Sequence, residues 1–495
     1  MFSRLFAPVP LAGSLPRGQT PRGQLWCGRA LGAGLLLALG LLGWFKGINF
    51  DESLALHSGW LALQGSDASP VLWSPWTLAL GTLAHAFADP AIVLHLGRVL
   101  SVLWIAAGVC ATARGRHPSY AALALLLACC FDPVLAHLVD FRYDASLLGA
   151  SLWYWARLRD RERPLSFRAG LWLGFLATHQ LKGLALAALL ASFTLLARPQ
   201  LKALRSTLAG AAAFFAAWVL ASWALGQGSR LREGYVLFFE LSRVSPPASP
   251  PLHGSLLAFV ALGLISIGLT VWQWQKRRAQ ARAGVDAERR WASVQRELAQ
   301  HALWLAFVGL VVAHPQLFAY HLTPIALSGS LVVASQLEQL WPARVGLLAC
   351  LAAGSQLALA WTPHLGSVRV IERVTHTPLE TTIRTLRAVR AAEQPGDRAL
   401  DPSGVLYFLP PCQREWYVDV LFAEWVEQGR WMYSPLLPTC TWVLRTHRLS
   451  AIPARQLAAL GAFELQRGSG GLLTSEAAHR HIEPLALGDS TPSTW

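Results

Sequence analysis

Apolar residues along this chain come in long continuous runs rather than in strand-like alternation, and the runs set the architecture. Stretches near bilayer-spanning length recur at 28–46, 91–113, 119–138, 145–158, 167–181, 183–197, 206–225, 254–274, 302–318, 322–340 and 344–361. That makes about eleven spans if each needs roughly 20 apolar residues, with some slack for tilt. Several middle runs are short, which predicts tilted or broken helices around a cavity. Between the first and second runs, Ser53 to Gln64 carries Leu54, Leu56, Trp60, Leu61 and Leu63 and predicts a short interfacial helix. Residues 74–88, opened by Ser74-Pro75 and closed by Asp89-Pro90, predict a second one.

From about Thr362 the pattern changes. Leu379 to Ala392 is amphipathic at helical spacing, and Trp416 to Gln428 reads as another helix. Gly404 to Leu409 and Cys440 to Arg445 read as strands, with Pro395-Gly396, Pro410-Pro411 and Pro435 as punctuation. His481 to Trp495 reads as a loose end. The expected fold class is therefore a polytopic α-helical membrane protein. Residues 1–27 form a leading segment, 28–361 the transmembrane domain with interfacial helices in its first outer loop, and 362–495 a small α/β domain. No internal repeat is visible in the membrane part.

Composition agrees with this reading. Hydrophobic residues make up 54% of the chain and charged residues only 14%, against about a quarter charged in soluble domains. The net charge of +14 does not mark a nucleic-acid binder, because its Lys and Arg sit in loops between apolar runs. With the N-terminus inside, the inner loops hold Arg114, Arg116, Arg157, Arg159, Arg161, Arg163, Arg168, Arg198, Lys202, Arg205, the basic residues of 275–300 and Arg344. The outer connections hold fewer: Lys46, Arg142, Lys182, Arg230, Arg232 and Arg243. This asymmetry expects a cytoplasmic N-terminus and an outer, periplasmic tail. Trp44-Phe45-Lys46 after the first run lacks the small residues of a cleavage site, so that run reads as a retained anchor.

Chemistry-bearing residues gather at the outer span ends. Asp51-Glu52 follows the first span, and Asp140-Phe141-Arg142-Tyr143-Asp144 joins the third and fourth. His179-Gln180-Leu181-Lys182 joins the fifth and sixth, while His314 and Tyr320-His321 lie between the ninth and tenth. Carboxylates can take a proton from a hydroxyl, and Arg or Lys can stabilise a phosphate leaving group. Each group has a plainer reading. Asp51 suits the N-cap of a helix and Glu52 its first turn. Asp140 and Asp144 flanking Arg142 form a surface ion pair, and Lys182 anchors a span at the interface. His57, His179 and His321, with Asp140, are candidates for acceptor or metal binding, and a divalent metal is an open option. Cys412 and Cys440, the only cysteines of the polar tail, are the candidate disulfide of an oxidising compartment.

The order of these groups resembles a family: the GT-C membrane glycosyltransferases that use a polyprenyl-phosphate sugar, including the protein O-mannosyltransferases and the lipid A aminoarabinose transferase. The resemblance rests on several stretches taken in order. Asp51-Glu52 comes first, then the helices from Leu54 and Ser74-Pro75-Trp76, then Leu96-Gly97-Arg98-Val99-Leu100. Arg142-Tyr143-Asp144 opens the fourth span, and Leu173-Gly174-Phe175 through Leu181-Lys182-Gly183 follow. It covers about residues 28–200. The sequence departs from the family at His179-Gln180 and in having His57 and Trp60 where a Tyr is usual.

The resemblance implies an inverting glycosyltransferase of the bacterial inner membrane. Its donor would be a polyprenyl-phosphate-linked sugar, and its acceptor an envelope glycan, lipid or protein on the periplasmic face. It implies Asp51 as base, Glu52 as a group orienting the acceptor or holding a metal, and Asp144 as a positioning carboxylate. Arg142 and Lys182 would bind the donor phosphate. The rivals are a transporter or lipid flippase, which would place ionisable groups near the midplane in repeated halves, and a non-catalytic assembly partner.

Overall fold

The computed structural model describes residues 22–48, 50–66, 73–131, 137–160, 165–198, 200–241, 287–313, 322–360, 379–401, 403–412, 440–444 and 472–474, with isolated positions elsewhere. Thirteen helices form the body among these residues. They are α1 (Arg22–Phe45), α2 (Phe50–Leu63), α3 (Pro75–Ala86), α4 (Pro90–Thr112), α5 (Tyr120–Ala128), α6 (Tyr143–Arg159), α7 (Phe167–Ala177), α8 (Gln180–Ala197), α9 (Leu201–Ala224), α10 (Gly228–Leu241), α11 (Ala287–Ala313), α12 (Leu322–Leu340) and α13 (Val345–Ala360). The tail adds α14 (Leu379–Ala392), β1 (Arg398–Leu400), β2 (Cys440–Leu444) and β3 (Leu472–Thr474). Two described helices, α4 and α9, are long and apolar enough to cross a membrane, and shorter apolar helices accompany them.

Ten of the expected spans overlap described helices. The span expected at 254–274 lies almost wholly outside the described residues, as does the helix expected at Trp416–Gln428. The run at 119–138 is not one continuous helix: α5 ends at Ala128 and Cys129 to Phe131 form a turn. The sequence Asp132-Pro133 explains the stop, because proline removes a donor and disfavours helix before it. α11 starts earlier than expected, so Arg289, Arg290 and Arg296 lie on a helix rather than in a loop. α10 was read from sequence only as an outer connection.

The main core cluster of the helical body among the described residues is built largely from α5, α6, α8, α11 and α12, including Trp155, Leu186, Leu303 and Leu327. Its exterior is apolar too: Leu37, Leu103, Leu201, Leu220, Trp223 and Val312 all face outward. So many large apolar side chains on the outside suit hydrocarbon rather than water. α2 and α3 cross at Gly59 and Gly81, where a Cβ on either glycine would collide with the other helix's backbone. α3 begins with a capping box in which Ser74 and Thr77 exchange hydrogen bonds, and Pro75 follows at its first turn.

The tail sheet has the order β1-β2-β3, with β1 parallel to β2 and β2 antiparallel to β3. Its first strand is Arg398–Leu400. The strand expected over Gly404–Leu409 is a turn instead, with Gly404 at φ +68°. Gly supplies that left-handed geometry at no steric cost, and Asp401 holds the turn by accepting from the N–H groups of Ser403 and Leu406 at 2.9 and 2.6 Å. Cys412 and Cys440 are joined as a disulfide, Cα atoms 5.2 Å apart. The apolar side chains of the tail's described residues pack onto the helical body. Leu379, Ile383, Leu386, Tyr407 and Trp442 pack in one cluster with Leu54, Leu56 and Trp60 of α2 and Leu80 of α3.

Candidate functional site

Three helix starts position the site. α2 carries Asp51 and Glu52 in its first turn, and α6 carries Asp144 in its first turn. α8, whose N-cap is His179, carries Lys182 close behind. A carboxylate is favoured at a helix N-terminus and a cation is not, so Lys182 sits against the local dipole. What holds it is Asp144, whose Oδ1 lies 2.5 Å from Lys182 Nζ, with the Tyr143 ring 5.3 Å from the same ammonium.

The charged groups alternate in a row. Arg142 Nη2 meets Asp51 Oδ2 on one side and Asp144 Oδ2, at 3.3 Å, on the other; Asp144 then meets Lys182. The structure therefore brings together four of the residues singled out from sequence: Asp51, Arg142, Asp144 and Lys182. They differ in access. Arg142 is almost wholly buried, whereas the Asp51 side chain is 22% exposed. Two narrow crevices flank Asp144, each with room for about one water. One is lined by Asp144, Lys182, Leu147, Phe307, Leu310 and Val311, and Pro324 borders both. Asp51 lines neither crevice. A lipid-linked substrate would need the apolar wall between α6, α11 and α12 to widen.

The remaining sequence candidates lie in different roles. Glu52 is fully buried, and Arg98 grips it with Nε to Oε1 at 3.0 Å and Nη2 to Oε2 at 2.7 Å. The same carboxylate accepts from Phe141 N at 3.2 Å. Arg98 also donates to the carbonyls of Gly43, Lys46 and Gly47, which close the end of α1. With both oxygens committed, Glu52 is poorly placed to orient an acceptor or hold a metal; it fixes the α1–α2 corner that presents Asp51. Asp140 is likewise buried, paired with Lys46 and with His137 Nδ1 at 3.2 Å. Lys46 and His137 hold the Asp140 carboxyl well below the usual range against the opposing effect of burial. It belongs to the floor beneath the row rather than to an acceptor site.

His57 and His179 are also structural in placement. His57 Nδ1 donates to Tyr407 O at 2.8 Å, and burial pushes its pKa down to about 4, so it is neutral. His179 bridges α6 and α7, with Nε2 at 2.9 Å from Ser146 Oγ and Nδ1 at 2.9 Å from Phe175 O. His314, Tyr320 and His321 lie outside the described residues. Among the described residues no three His, Cys, Asp or Glu side chains converge as a metal cage. Asp51 and Asp144 both face Arg142, a donor set that does not fit a cation site.

Sequence reasoning passed over His137, and it noted Arg98 and Lys46 without finding their buried partners Glu52 and Asp140. A signal for Arg98 was present: an arginine inside the apolar run 90–112 must find a buried partner, and a nearby carboxylate is the natural one.

No family model matches the chain, and no curated protein matches it. Among solved structures, the chain is similar to ArnT from Cupriavidus metallidurans bound to undecaprenyl phosphate, at 14% identity and TM-score 0.46, over 77% of this chain and 74% of that one. The same protein in the apo state gives 15% identity and TM-score 0.46, over 78% and 75%.

Proposed function

We propose that the chain is an inverting glycosyltransferase of a bacterial inner membrane that moves a sugar from a polyprenyl-phosphate donor to a hydroxyl of an envelope glycan, lipid or protein. The observation that carries this reading is the row Asp51–Arg142–Asp144–Lys182 at the starts of three helices beside apolar crevices. Two cations and three helix N-termini make a place for a phosphate, and the Leu and Phe walls of α6 and α11 suit a lipid tail. Asp51, the most exposed carboxylate of the row, is the base. The acceptor oxygen bonds to the anomeric carbon as the bond from that carbon to the phosphate oxygen breaks. Asp51 takes the hydroxyl proton, and the polyprenyl phosphate leaves on Arg142 and Lys182. Asp144, held between two cations, positions them rather than attacking, which leaves one displacement and an inverted anomer.

The disulfide of the tail supports an outer, oxidising location for that domain. The transport reading has less support, because the charged groups of the row gather at helix starts and the sequence of the membrane part shows no internal repeat. The test is transfer by the purified full chain with a radiolabelled polyprenyl-phosphate sugar mixture. Asp51→Asn should lose transfer by roughly 10²-fold or more while inserting and folding normally. Full activity in that variant would overturn the assignment of the base.

A further inference from the structure

A cavity of about 690 Å³ lies at the far end of the helical body from the carboxylate row. The stretch of α6 from Asp144 to Arg159 alone separates the two by about 22 Å. The volume is within the range of small-molecule sites, about 300–1,000 Å³. Its walls come from the ends of α4, α6 and α12 and the middle of α11. Arg114, Arg157, Arg159 and Arg296 line it together with Asp160, so positive charge dominates. A fifth arginine, Arg116, is already neutralised by Glu338 at 2.6 Å.

These arginines are not all solvated basic residues reaching toward water. The Arg159 guanidinium lies 4.4 Å over the Trp155 ring, and its Nη1 is buried with no hydrogen-bond partner. Gln300 lines the same cavity; its Oε1 accepts from Gln339 at 3.1 Å, while its buried Nε2 also has no partner. Leaving a buried donor unmet is destabilising, more so when it is charged. Trp153 Nε1, on a third residue of the lining, is unmet as well; all three groups are N–H donors, and arginine provides donors only. A lining of this charge and donor content suits a ligand that is rich in acceptor oxygens and negatively charged. Arg114, 5.9 Å from the Trp153 ring, stands at the exposed rim.

We infer that this cavity binds a phosphate-bearing anion, at a site separate from the carboxylate row. The anion is either the headgroup of an acidic phospholipid or a soluble phosphate compound. The inference does not rest on the role given to Asp51.

The test uses the purified full chain in neutral detergent, with inorganic pyrophosphate and phosphatidylglycerol as probes. Sodium chloride at matched ionic strength and phosphatidylcholine are the controls. Melting temperature and native mass spectrometry read binding. The expected result is a saturable rise in melting temperature with at least one probe, and apparent affinity at least tenfold weaker in Arg159→Gln and in Arg114→Gln. Arg168→Gln, an exposed arginine outside the cavity lining, should bind as the parent does. A response to phosphatidylglycerol alone assigns the lipid headgroup; a response to pyrophosphate alone assigns a soluble phosphate; a response to both supports the shared chemistry. If Arg159→Gln fails to fold, Arg114→Gln at the rim decides. No saturable response, or one unchanged in Arg114→Gln, overturns the inference.

Discussion

Arg142 sets the behaviour of its neighbours, since one guanidinium nitrogen serves both Asp51 and Asp144. Lys182 stands at the end of the row beside an apolar crevice, so its proposed work is to hold the donor phosphate already in the ground state. Lys182→Ala should then raise the apparent KM for the donor about tenfold with a much smaller change in kcat, checked by steady-state kinetics. Equal loss in kcat and kcat/KM would instead place its contribution in the transition state. Arg98 predicts a different outcome. Removing one member of a buried ion pair strands the other, at a cost of about 3–5 kcal/mol. Arg98→Met should destabilise the protein by roughly that amount, and Arg98→Met with Glu52→Met should recover much of it, read by detergent-based thermal unfolding. The row itself was legible because its acids and bases stand at span ends, where charge calls for a reason. The floor beneath it was not, since Lys46 meets Asp140 across 94 positions and only the folded chain shows that the two, with the neighbouring His137, come together.

Hydrophobic runs gave the helices because a run of bilayer length has few other solutions in lipid, where every backbone group must be satisfied within the segment. The tail was harder to read. Gly404-Val405-Leu406-Tyr407-Phe408-Leu409 has the apolar, aromatic content of a strand, yet Asp401 captures its first N–H groups and turns it. Its apolar side chains are buried all the same, against α2 rather than in a sheet, so composition reported burial correctly and geometry wrongly. The disulfide was legible from scarcity, two cysteines alone in a polar segment. It closes a separation of 28 residues, and in the chain-entropy model Cys412→Ser with Cys440→Ser should cost the tail about 3–4 kcal/mol. Faster limited proteolysis of the tail in the variant, with the helical body unchanged, checks it.

At the scale of the whole molecule, the junction of tail and helical body carries two buried groups that titrate in opposite senses. His57 is depressed to about 4 by burial, so its contribution to stability is complete above about pH 6.5 and is lost as pH falls through 4. Asp401 is raised by burial to about 6, so the folded state gains as pH falls through 6 toward the ordinary carboxylate value. Each shift corresponds to roughly 3 kcal/mol. The two nearly offset, and docking of the tail should change little between pH 6.5 and 4. Asp401→Asn keeps the acceptor for the turn while removing the compensating group. That variant should lose roughly 3 kcal/mol of stability over the same window, followed by pH-dependent unfolding of the tail.

That junction also has a history in time. Ser53 Oγ donates to Ser403 O at 2.8 Å and His57 to Tyr407 O, each across a sequence separation of 350. A ribosome adding roughly 5–20 residues per second would take about 20–70 s to make that stretch. Throughout that interval the apolar side of α2, directly behind Asp51, has no cover from the tail. The helix that presents Asp51 is among the first made and the last secured. A chain shortened before residue 379 would keep every residue of the carboxylate row and lose the wall on which its first helix leans.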